Sequence, residues 1–537
     1  MPTVDLDDLL AQMTLDEKLA QLGGAWITAL VDDGGFDPEA ARNVIGHGIG
    51  HVTRIGAATG LFPAETAALM NEVQRFALEE TRLGIPVLVH EESTGGYLAR
   101  GATVFPQAIG LASTWDEGLV AEVADVIREQ LVAVGARQAL APVLDVARDP
   151  RWGRVEETYG EDPYLVGRIG TAYVQALQAH GHDGVLATAK HFLGYGLPEG
   201  GMNHAPVHLG PRELREVYAE PFSAVIRDAD LRSVMNSYSS VDGIPCAGDQ
   251  SILTGLLRDD LGFDGVVVAD YFSVALLQTH HRVASTVGDA AVLALTAGLD
   301  LELPDTACYG APLKERALDG TVPIDVVDRS VRRVLESKAH VGLFENPYVD
   351  AEAATAVFDT PEQRALARRA ASASVVLLTN DGVLPLRPDL ESIAVIGPSA
   401  DDPRLLQGDY HYPAHVEISY EGSAAPLLPT PRGGSFAPGA YFTDHVTPLA
   451  ALRGVFGDRV VYERGCGVTG DDESGIEAAA SAAAGASVAV VCVGGESGLQ
   501  PHSTVGEARD ASSLALTGRQ PQLVDAVIAT STPTVVV

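Results

Sequence analysis

Short apolar runs rich in valine, isoleucine and leucine alternate with longer amphipathic stretches over roughly the first 340 residues. Eight runs have the composition of strands: QLGGAW, IGHGIGHVTRI, IPVLVHEE, ALAPVLDVA, GVLATAKHF, LRSVMNSY, FDGVVVADY and AGLDLELP. Strands that alternate with helices form parallel sheets, and about eight such units fit a closed α/β barrel better than an open sheet. The pattern therefore predicts the α/β class, with a (β/α)8-type barrel in residues 1–342.

Helix signals support this division of the chain. Thr14 is followed three residues later by Glu17, the spacing of a capping box at a helix start. The last helix of the barrel is predicted to begin at Pro323, and Gly342 can end it.

A second domain follows a predicted linker at residues 343–360. The dipeptide Thr360-Pro361 starts a helix, and SVVLL, SIAVIG, VVYERG and SVAVVCVGG are predicted as strands. These elements predict an α/β sandwich domain in residues 361–537, interrupted by a long loop at 408–445 without hydrophobic periodicity. Because the chain stops in the apolar run STPTVVV, we expect it to end before the natural protein does, with the sandwich domain incomplete.

Charge and composition narrow the classes of partner. Lys and Arg number 36 against 72 Asp and Glu, a net charge of −36, which disfavours nucleic acid and anionic membranes as partners. No apolar run reaches the roughly 18 residues that a membrane helix needs, and the start has no signal-peptide pattern. We therefore expect a cytoplasmic protein, and the sequence leaves a homo-oligomer open. The four cysteines lie far apart without metal-ligand spacing, so we expect no metal and no cofactor.

Polar residues follow five of the predicted strands. They are His90, Glu91 and Glu92; Asp149, Arg151 and Arg154; Lys190 and His191; Asn236 and Tyr238; and Asp270. In an α/β barrel the carboxyl ends of the strands meet at one mouth, where active sites form. Any one of these residues could be a helix cap or a structural ion pair, but five strand ends together predict a site.

Several long motifs resemble glycoside hydrolase family 3. They are HEESTGGYLARGATVFPQAIGLASTWD, DPRWGRVEETYGEDPYLVG, AKHFLGYG, SVMNSYSSVDGIPC, LGFDGVVVADYF, ASVVLLTNDGVLPL and GEARDASSLALTGRQPQLVDAV. The resemblance implies an exo-acting, retaining β-glycosidase with a barrel followed by an α/β sandwich domain. Many members carry a third, fibronectin-like β-sandwich domain, so we expect this chain to stop before one.

The resemblance also implies two catalytic carboxyl groups. Retention requires a nucleophile and an acid/base about 5–5.5 Å apart. Asp270 matches the nucleophile, although the chain has Ala269-Asp270-Tyr271 where the family often has Ser-Asp-Trp or Ser-Asp-Tyr. We favour Glu507, in TVGEARD, as the acid/base, and Glu496, in GGESG, remains the other candidate.

The sugar subsite implied by the resemblance consists of Glu92, Arg154, Lys190, His191 and Tyr238. The predicted substrate is a small glycoside or oligosaccharide with a terminal β-D-glucosyl residue. A Glu at position 92 occurs in xylosidase-like members, so a β-D-xylosidase or α-L-arabinosidase stays open. Tyr410 and Tyr412 could stack on the leaving group, with core packing at least as plausible.

Three other hypotheses compete with this one. The first is a β-N-acetylglucosaminidase of the single-domain type, which uses a histidine as its acid/base; in this chain that histidine would be His204. A Schiff-base aldolase would use Lys190. A sugar-binding protein without catalysis would have no need of Asp270.

Overall fold

The structure is a computed structural model that describes residues 4–32, 35–179, 181, 184–420, 436 and 438–537. Two compact units make up the described chain. The first unit ends at Ser374, and the second begins at Val375.

Seven parallel strands form the sheet of the first unit and neighbour one another in chain order. They are β1 (Gly24–Trp26), β2 (His51–Thr53), β3 (Leu88–Glu91), β4 (Gln138–Ala139), β5 (Leu186–Phe192), β6 (Ser233–Asn236) and β7 (Val266–Val268). The eighth position is closed by a bridge from Leu301 to Val268 and by the Glu302 N–H, which donates to the Leu22 carbonyl at 2.9 Å. The predicted barrel is confirmed, and each of the eight predicted runs supplies one position in it.

Helices follow the strands and bury their apolar sides in one continuous core. The α-helices of this unit are Leu6–Gln12, Leu15–Gln21, Pro38–Ile45, Ile55–Thr59, Pro63–Glu79, Ala108–Ala112, Glu117–Ala133, Pro163–Gln178, Pro211–Glu213, Glu220–Ala229, Ser273–Thr279, Val287–Ala297, Ala311–Leu318, Ile324–His340, Ala351–Ala354 and Pro361–Ser374. The segments Leu214–Tyr218 and Ser251–Asp260 are π-helical. Two short antiparallel pairs join Val31–Asp32 to Gly35–Phe36 and Ser240–Val241 to Ile244–Pro245.

The predicted helix start at Thr14 is present as a complete capping box. The backbone N–H of Thr14 donates to Glu17 Oε2 at 2.8 Å, and the Glu17 N–H donates to Thr14 Oγ1 at 3.4 Å. Arg82 also donates to both oxygens of Glu17, at 2.8 and 2.5 Å. The cap therefore joins the first turn of helix Leu15–Gln21 to the segment after helix Pro63–Glu79.

Residues between the barrel and the second unit pack on the barrel. Val349 exchanges two hydrogen bonds with the side chain of Asn71, at 2.8 and 3.0 Å. Gln363 accepts from Thr103 Oγ1 at 2.9 Å and from Gln130 Nε2 at 3.1 Å. These buried polar contacts place helix Pro361–Ser374, which the sequence analysis assigns to the second domain, in the first unit.

A four-stranded parallel sheet forms the centre of the second unit. The strands are β8 (Ile393–Ile396), β9 (Val460–Glu463), β10 (Val488–Val491) and β11 (Thr534–Val536), in the order β9-β8-β10-β11. Its described α-helices are Tyr412–His415, Pro448–Phe456, Ile476–Ala484 and Gln520–Ile528. Alternate residues of β8 face opposite sides: Ile393 and Val395 pack in one apolar cluster, and Ala394 and Ile396 pack in another. Helices on both sides of a sheet make the α/β sandwich that the pattern predicts.

Two local expectations need revision. The run SVVLL is not a strand: residues 375–378 have no regular structure, and Leu378 is 90% exposed. A strand needs a neighbour to pair with, and no described residue pairs with this segment. The predicted loop at 408–445 contains the helix Tyr412–His415 and the 3-10 turn Val416–Ser419, whereas residues 421–435 and 437 lie outside the described residues.

All four cysteines, Cys246, Cys308, Cys466 and Cys492, are buried free thiols. Burial raises the pKa of each, to about 12 for Cys246 and about 11 for Cys492. In the described part of the chain, no helix combines the length and the hydrophobicity needed to cross a bilayer.

Candidate active site

Glu92 is a buried carboxylate between two cations at the mouth of the barrel. It follows β3, and its Oε2 accepts from Lys190 Nζ of β5 at 2.8 Å. Its Oε1 accepts from Arg54 Nη2, just after β2, at 2.6 Å. Burial alone would raise the pKa of Glu92, but the two cations outweigh burial and lower it. Glu92 is therefore ionised at neutral pH.

His191 lies between two carboxyl groups. Its Nδ1 is 2.7 Å from Asp145 Oδ2, and its Nε2 is 3.5 Å from Asp270 Oδ2. Burial, together with Arg154 and Lys190, holds the pKa of His191 well below its usual value, so the imidazole is neutral at pH 7. The ring fixes the spacing between Asp145 and Asp270 without adding a charge.

Asp270 is held at the end of β7 by backbone contacts. The Tyr271 N–H donates to Asp270 Oδ1 at 2.8 Å, and the Asp270 N–H donates to Asn236 Oδ1 at 3.1 Å. Ser273 Oγ donates to the same Asn236 oxygen at 3.1 Å. The side chain of Asp270 is 11% exposed, so the carboxylate is fixed and still reachable.

Arg154 and Glu157 form a buried bidentate pair beside His191. Arg154 Nε and Nη2 donate to the two oxygens of Glu157 at 2.6 and 2.8 Å. The guanidinium also lies 5.5 Å from the ring centroid of Tyr195. Arg154 thus pairs with Glu157, as Lys190 pairs with Glu92.

Tyr238 follows β6 and belongs to an aromatic wall with Trp152 and Tyr195. Its hydroxyl donates to the Tyr271 carbonyl at 2.9 Å, next to Asp270. Aromatic faces with a polar edge suit a sugar ring, which presents C–H groups on its faces and hydroxyls around its rim.

All five predicted subsite residues and Asp270 thus lie in one connected part of the first unit. Two other predicted strand-end residues contact them: Asn236 accepts from the Asp270 N–H, and His90 Nε2 lies 2.9 Å from the Tyr271 hydroxyl. Asp149, Arg151 and Glu91 have their partners elsewhere. Asp149 and Arg151 form an ion pair at 2.6 Å with Arg151 largely exposed, and Glu91 points to the opposite side of β3, toward Gly56.

Glu507, the predicted acid/base, lies in the second unit on a tightly held loop. Its Oε2 accepts from the Tyr410 hydroxyl at 2.8 Å, and its backbone N–H donates to the buried Asp409 carboxylate at 2.9 Å. Glu496 instead contacts the exposed His502 at 3.0 Å. Tyr410 and Tyr412 are both buried, which favours the core-packing alternative over stacking on a leaving group. The Tyr410 hydroxyl also holds Glu507.

The geometry also bears on the rival hypotheses. Lys190 is 1% exposed, and its Nζ donates to Glu92 Oε2 at 2.8 Å, so a carbonyl substrate would have to displace this ion pair before it could form a Schiff base. The His204 ring packs on Tyr238, with the ring centroids 4.3 Å apart.

The sequence patterns gave no prediction for three residues of these clusters: Arg54, Asp145 and Glu157. Asp145 carries a usable signal, since it directly follows the apolar run ALAPVL. Arg54 is the second-last residue of the run IGHGIGHVTRI, where nothing in the periodicity marks it. Among the described residues, no group of three or more His, Cys, Asp or Glu side chains could hold a metal ion.

The fold and the site define a class: an α/β barrel with buried, ion-paired carboxylates and aromatic residues at its mouth, followed by an α/β sandwich. The family model for the glycosyl hydrolase family 3 N-terminal domain matches residues 14–337, and that for the C-terminal domain matches residues 375–537. The chain belongs to glycoside hydrolase family 3.

Relatives and solved structures agree with this assignment. A β-xylosidase of Formosa agariphila is 35% identical over 87% of this chain and 64% of its own length. A periplasmic β-glucosidase of Salmonella typhimurium is 31% identical over 99% of this chain and 66% of its own length. The β-glucosidase structure from Erythrobacter marinus has a TM-score of 0.85 at 32% identity, covering 99% of this chain and 70% of that one. The chain thus spans about two thirds of the length of these proteins.

Proposed function

We propose that this chain carries the catalytic machinery of an exo-acting, retaining β-glycosidase. The observation that carries the proposal is the placement of Asp270 at the end of β7, 3.5 Å from His191 and next to the subsite residues that the resemblance implies. The substrate is a glycoside or oligosaccharide with a terminal, non-reducing β-D-glucosyl or β-D-xylosyl residue.

In the first step, a carboxylate oxygen of Asp270 attacks the anomeric carbon, and the bond from that carbon to the leaving oxygen breaks. Glu507 protonates the leaving oxygen, so the aglycone departs as an alcohol and the sugar stays as an ester on Asp270. In the second step Glu507 takes a proton from water, whose oxygen attacks the anomeric carbon and releases Asp270. Two inversions give net retention.

The charged residues of the barrel mouth bind and orient the sugar in this scheme. Lys190 and Arg154 donate hydrogen bonds to sugar hydroxyls, and the ionised Glu92 accepts hydrogen bonds from sugar hydroxyls. Neutral His191 can donate or accept. Tyr238 offers its ring to one face of the sugar.

Two sugar specificities have support. A β-glucosidase of Listeria innocua, solved in complex with glucose, has a TM-score of 0.83 to this chain at 28% identity. The Formosa agariphila β-xylosidase and the Glu at position 92 favour xylose instead. A panel of nitrophenyl β-D-glucoside, β-D-xyloside, α-L-arabinoside and N-acetyl-β-D-glucosaminide separates these activities and tests the histidine alternative.

The nucleophile is tested with Asp270→Ala. We expect kcat to fall by at least about a thousandfold, because no carboxylate is left to form the ester. Azide should then restore turnover of an activated β-glycoside and give the α-glycosyl azide, since it attacks from the face that Asp270 leaves empty.

Asp260→Ala is the matched control for this variant. Asp260 is a half-exposed partner of Arg215, so its loss should leave the rate within about twofold. Wild-type rates in Asp270→Ala would reject the mechanism.

A further inference from the structure

Arg54 is a buried arginine at the mouth of the barrel. It directly follows β2, adopts a left-handed backbone with φ of 52°, and is 3% exposed. A non-glycine residue rarely takes this conformation, and a buried guanidinium destabilises a fold unless it is well paired. Folding alone therefore gives little reason for an arginine here.

The turn that carries Arg54 is fixed by the neighbouring strand. The Arg54 N–H donates to the His90 carbonyl at 3.1 Å, and the Gly56 N–H donates to Glu91 Oε1 at 2.6 Å. Both acceptors belong to β3. The backbone below the guanidinium is therefore held from the same strand that positions Glu92.

The guanidinium spans two sides of the candidate site. Nη2 donates to Glu92 Oε1 at 2.6 Å, and Cζ lies 4.7 Å from the ring centroid of Tyr271, the residue after Asp270. Because Lys190 donates to the other oxygen of Glu92, each carboxylate oxygen has its own cation. Glu92 cannot swing away without breaking one of the two ion pairs.

We propose that Arg54 is a specificity-determining residue that restricts the glycone subsite to pentopyranosides, so that β-D-xylosides are preferred over β-D-glucosides. This inference rests on the proposed function. In this proposal Glu92 accepts from the hydroxyls on the side of the sugar away from the anomeric carbon, the C4 hydroxyl among them. The substituent on the neighbouring C5 then comes against the guanidinium of Arg54. Xylose carries only hydrogen at C5, whereas glucose carries a hydroxymethyl group that needs the volume Arg54 fills.

The test compares kcat/KM for nitrophenyl β-D-xyloside and β-D-glucoside in the wild type, Arg54→Ala and Arg54→Lys. We expect the wild type to favour the xyloside. In Arg54→Ala the glucoside-to-xyloside ratio of kcat/KM should rise at least about tenfold, the effect of opening room for one small group. Arg54→Lys keeps a cation but removes the planar guanidinium group, so its glucoside-to-xyloside ratio of kcat/KM should rise less, by about threefold.

Arg232→Ala is the matched control, since Arg232 precedes β6 at the other end of the strand and pairs with Asp230 and Asp264. Its ratio should stay at the wild-type value. An unchanged ratio in Arg54→Ala, or a wild type that prefers the glucoside, overturns the role of Arg54 while leaving the glycosidase intact.

A wild type that cleaves no glycoside overturns the proposed function and this inference with it. Thermal melting checks that each variant is folded, and if Arg54→Ala does not fold, the ratio in Arg54→Lys decides.

Discussion

Glu91 and Glu92 are adjacent in the chain but have opposite electrostatic environments. Glu92 is ionised between Arg54 and Lys190, whereas burial raises the pKa of Glu91 to about 8 against the weaker effects of the Gly56 N–H and Arg54. Successive side chains of a strand point to opposite sides, which explains the difference. The sequence EE does not show which carboxylate takes which role, because the partners come from β2 and β5.

Glu91 should make stability depend on pH. An unfolded Glu ionises above its ordinary value near 4.5, but folded Glu91 stays protonated up to about 8. The folded state thus binds more protons between these values, and its free energy of unfolding falls as pH rises, by at most about 1.4 kcal/mol per pH unit. In Glu91→Gln, the contribution of this residue to the change of unfolding free energy with pH should be absent.

Urea denaturation at several pH values between about 5 and 8 measures the slope. The exposed Glu79→Gln is the control and should keep the wild-type dependence. Equal slopes in wild type and Glu91→Gln would contradict a protonated Glu91.

At the scale of the element, local signals in the sequence were sufficient where a segment's partners are near in the chain. The capping box at Thr14 was predicted and is present, and its two residues lie within one helical turn. The run SVVLL has the composition of a strand, yet its residues 375–378 form no strand. Strand formation depends on a pairing partner elsewhere in the chain and not on composition alone. Arg54 was missed for a similar reason, since its partner Glu92 is 38 residues away.

The capping box gives an element-scale prediction. Thr14→Ala removes the side-chain acceptor for the Glu17 N–H, so the free energy of unfolding should fall by about 1 kcal/mol. Thr14→Ser keeps the hydroxyl and should lose much less. Denaturant midpoints of the two variants compare them directly, and equal midpoints would mean that the contact of Glu17 with Arg82 holds this helix start without the threonine.

At the scale of the whole molecule, the proposed chemistry draws on both units. The motifs predicted the order of barrel and sandwich, because long runs of sequence carry the family resemblance. They could not rank Glu507 and Glu496 by geometry, and the role of Glu507 stays a prediction. The support that Glu507 receives from Tyr410 and Asp409 favours it, since Glu496 contacts an exposed histidine instead.

Leaving-group dependence separates the two glutamates. If Glu507 is the acid/base, Glu507→Ala should slow cleavage of a disaccharide at least about a hundredfold, because an alkoxide leaves poorly without a proton. A dinitrophenyl glycoside leaves without protonation and should react nearly as fast in its first step. Azide should then yield the β-glycosyl azide.

Glu496→Ala and His204→Ala are the companions to this variant, and both should retain disaccharide cleavage. If Glu496→Ala or His204→Ala instead lost disaccharide cleavage while Glu507→Ala retained it, the acid/base would be Glu496 or His204, respectively.

The buried thiols have a practical consequence for experiments on the intact protein. Because Cys246, Cys308, Cys466 and Cys492 are shielded from solvent and kept protonated, maleimide reagents should spare all four in the native state. A cysteine introduced at one exposed position of each unit would then be the preferred attachment point for a fluorophore. Fluorescence energy transfer between two such labels, one in each unit, could then be recorded during turnover without first replacing any native cysteine.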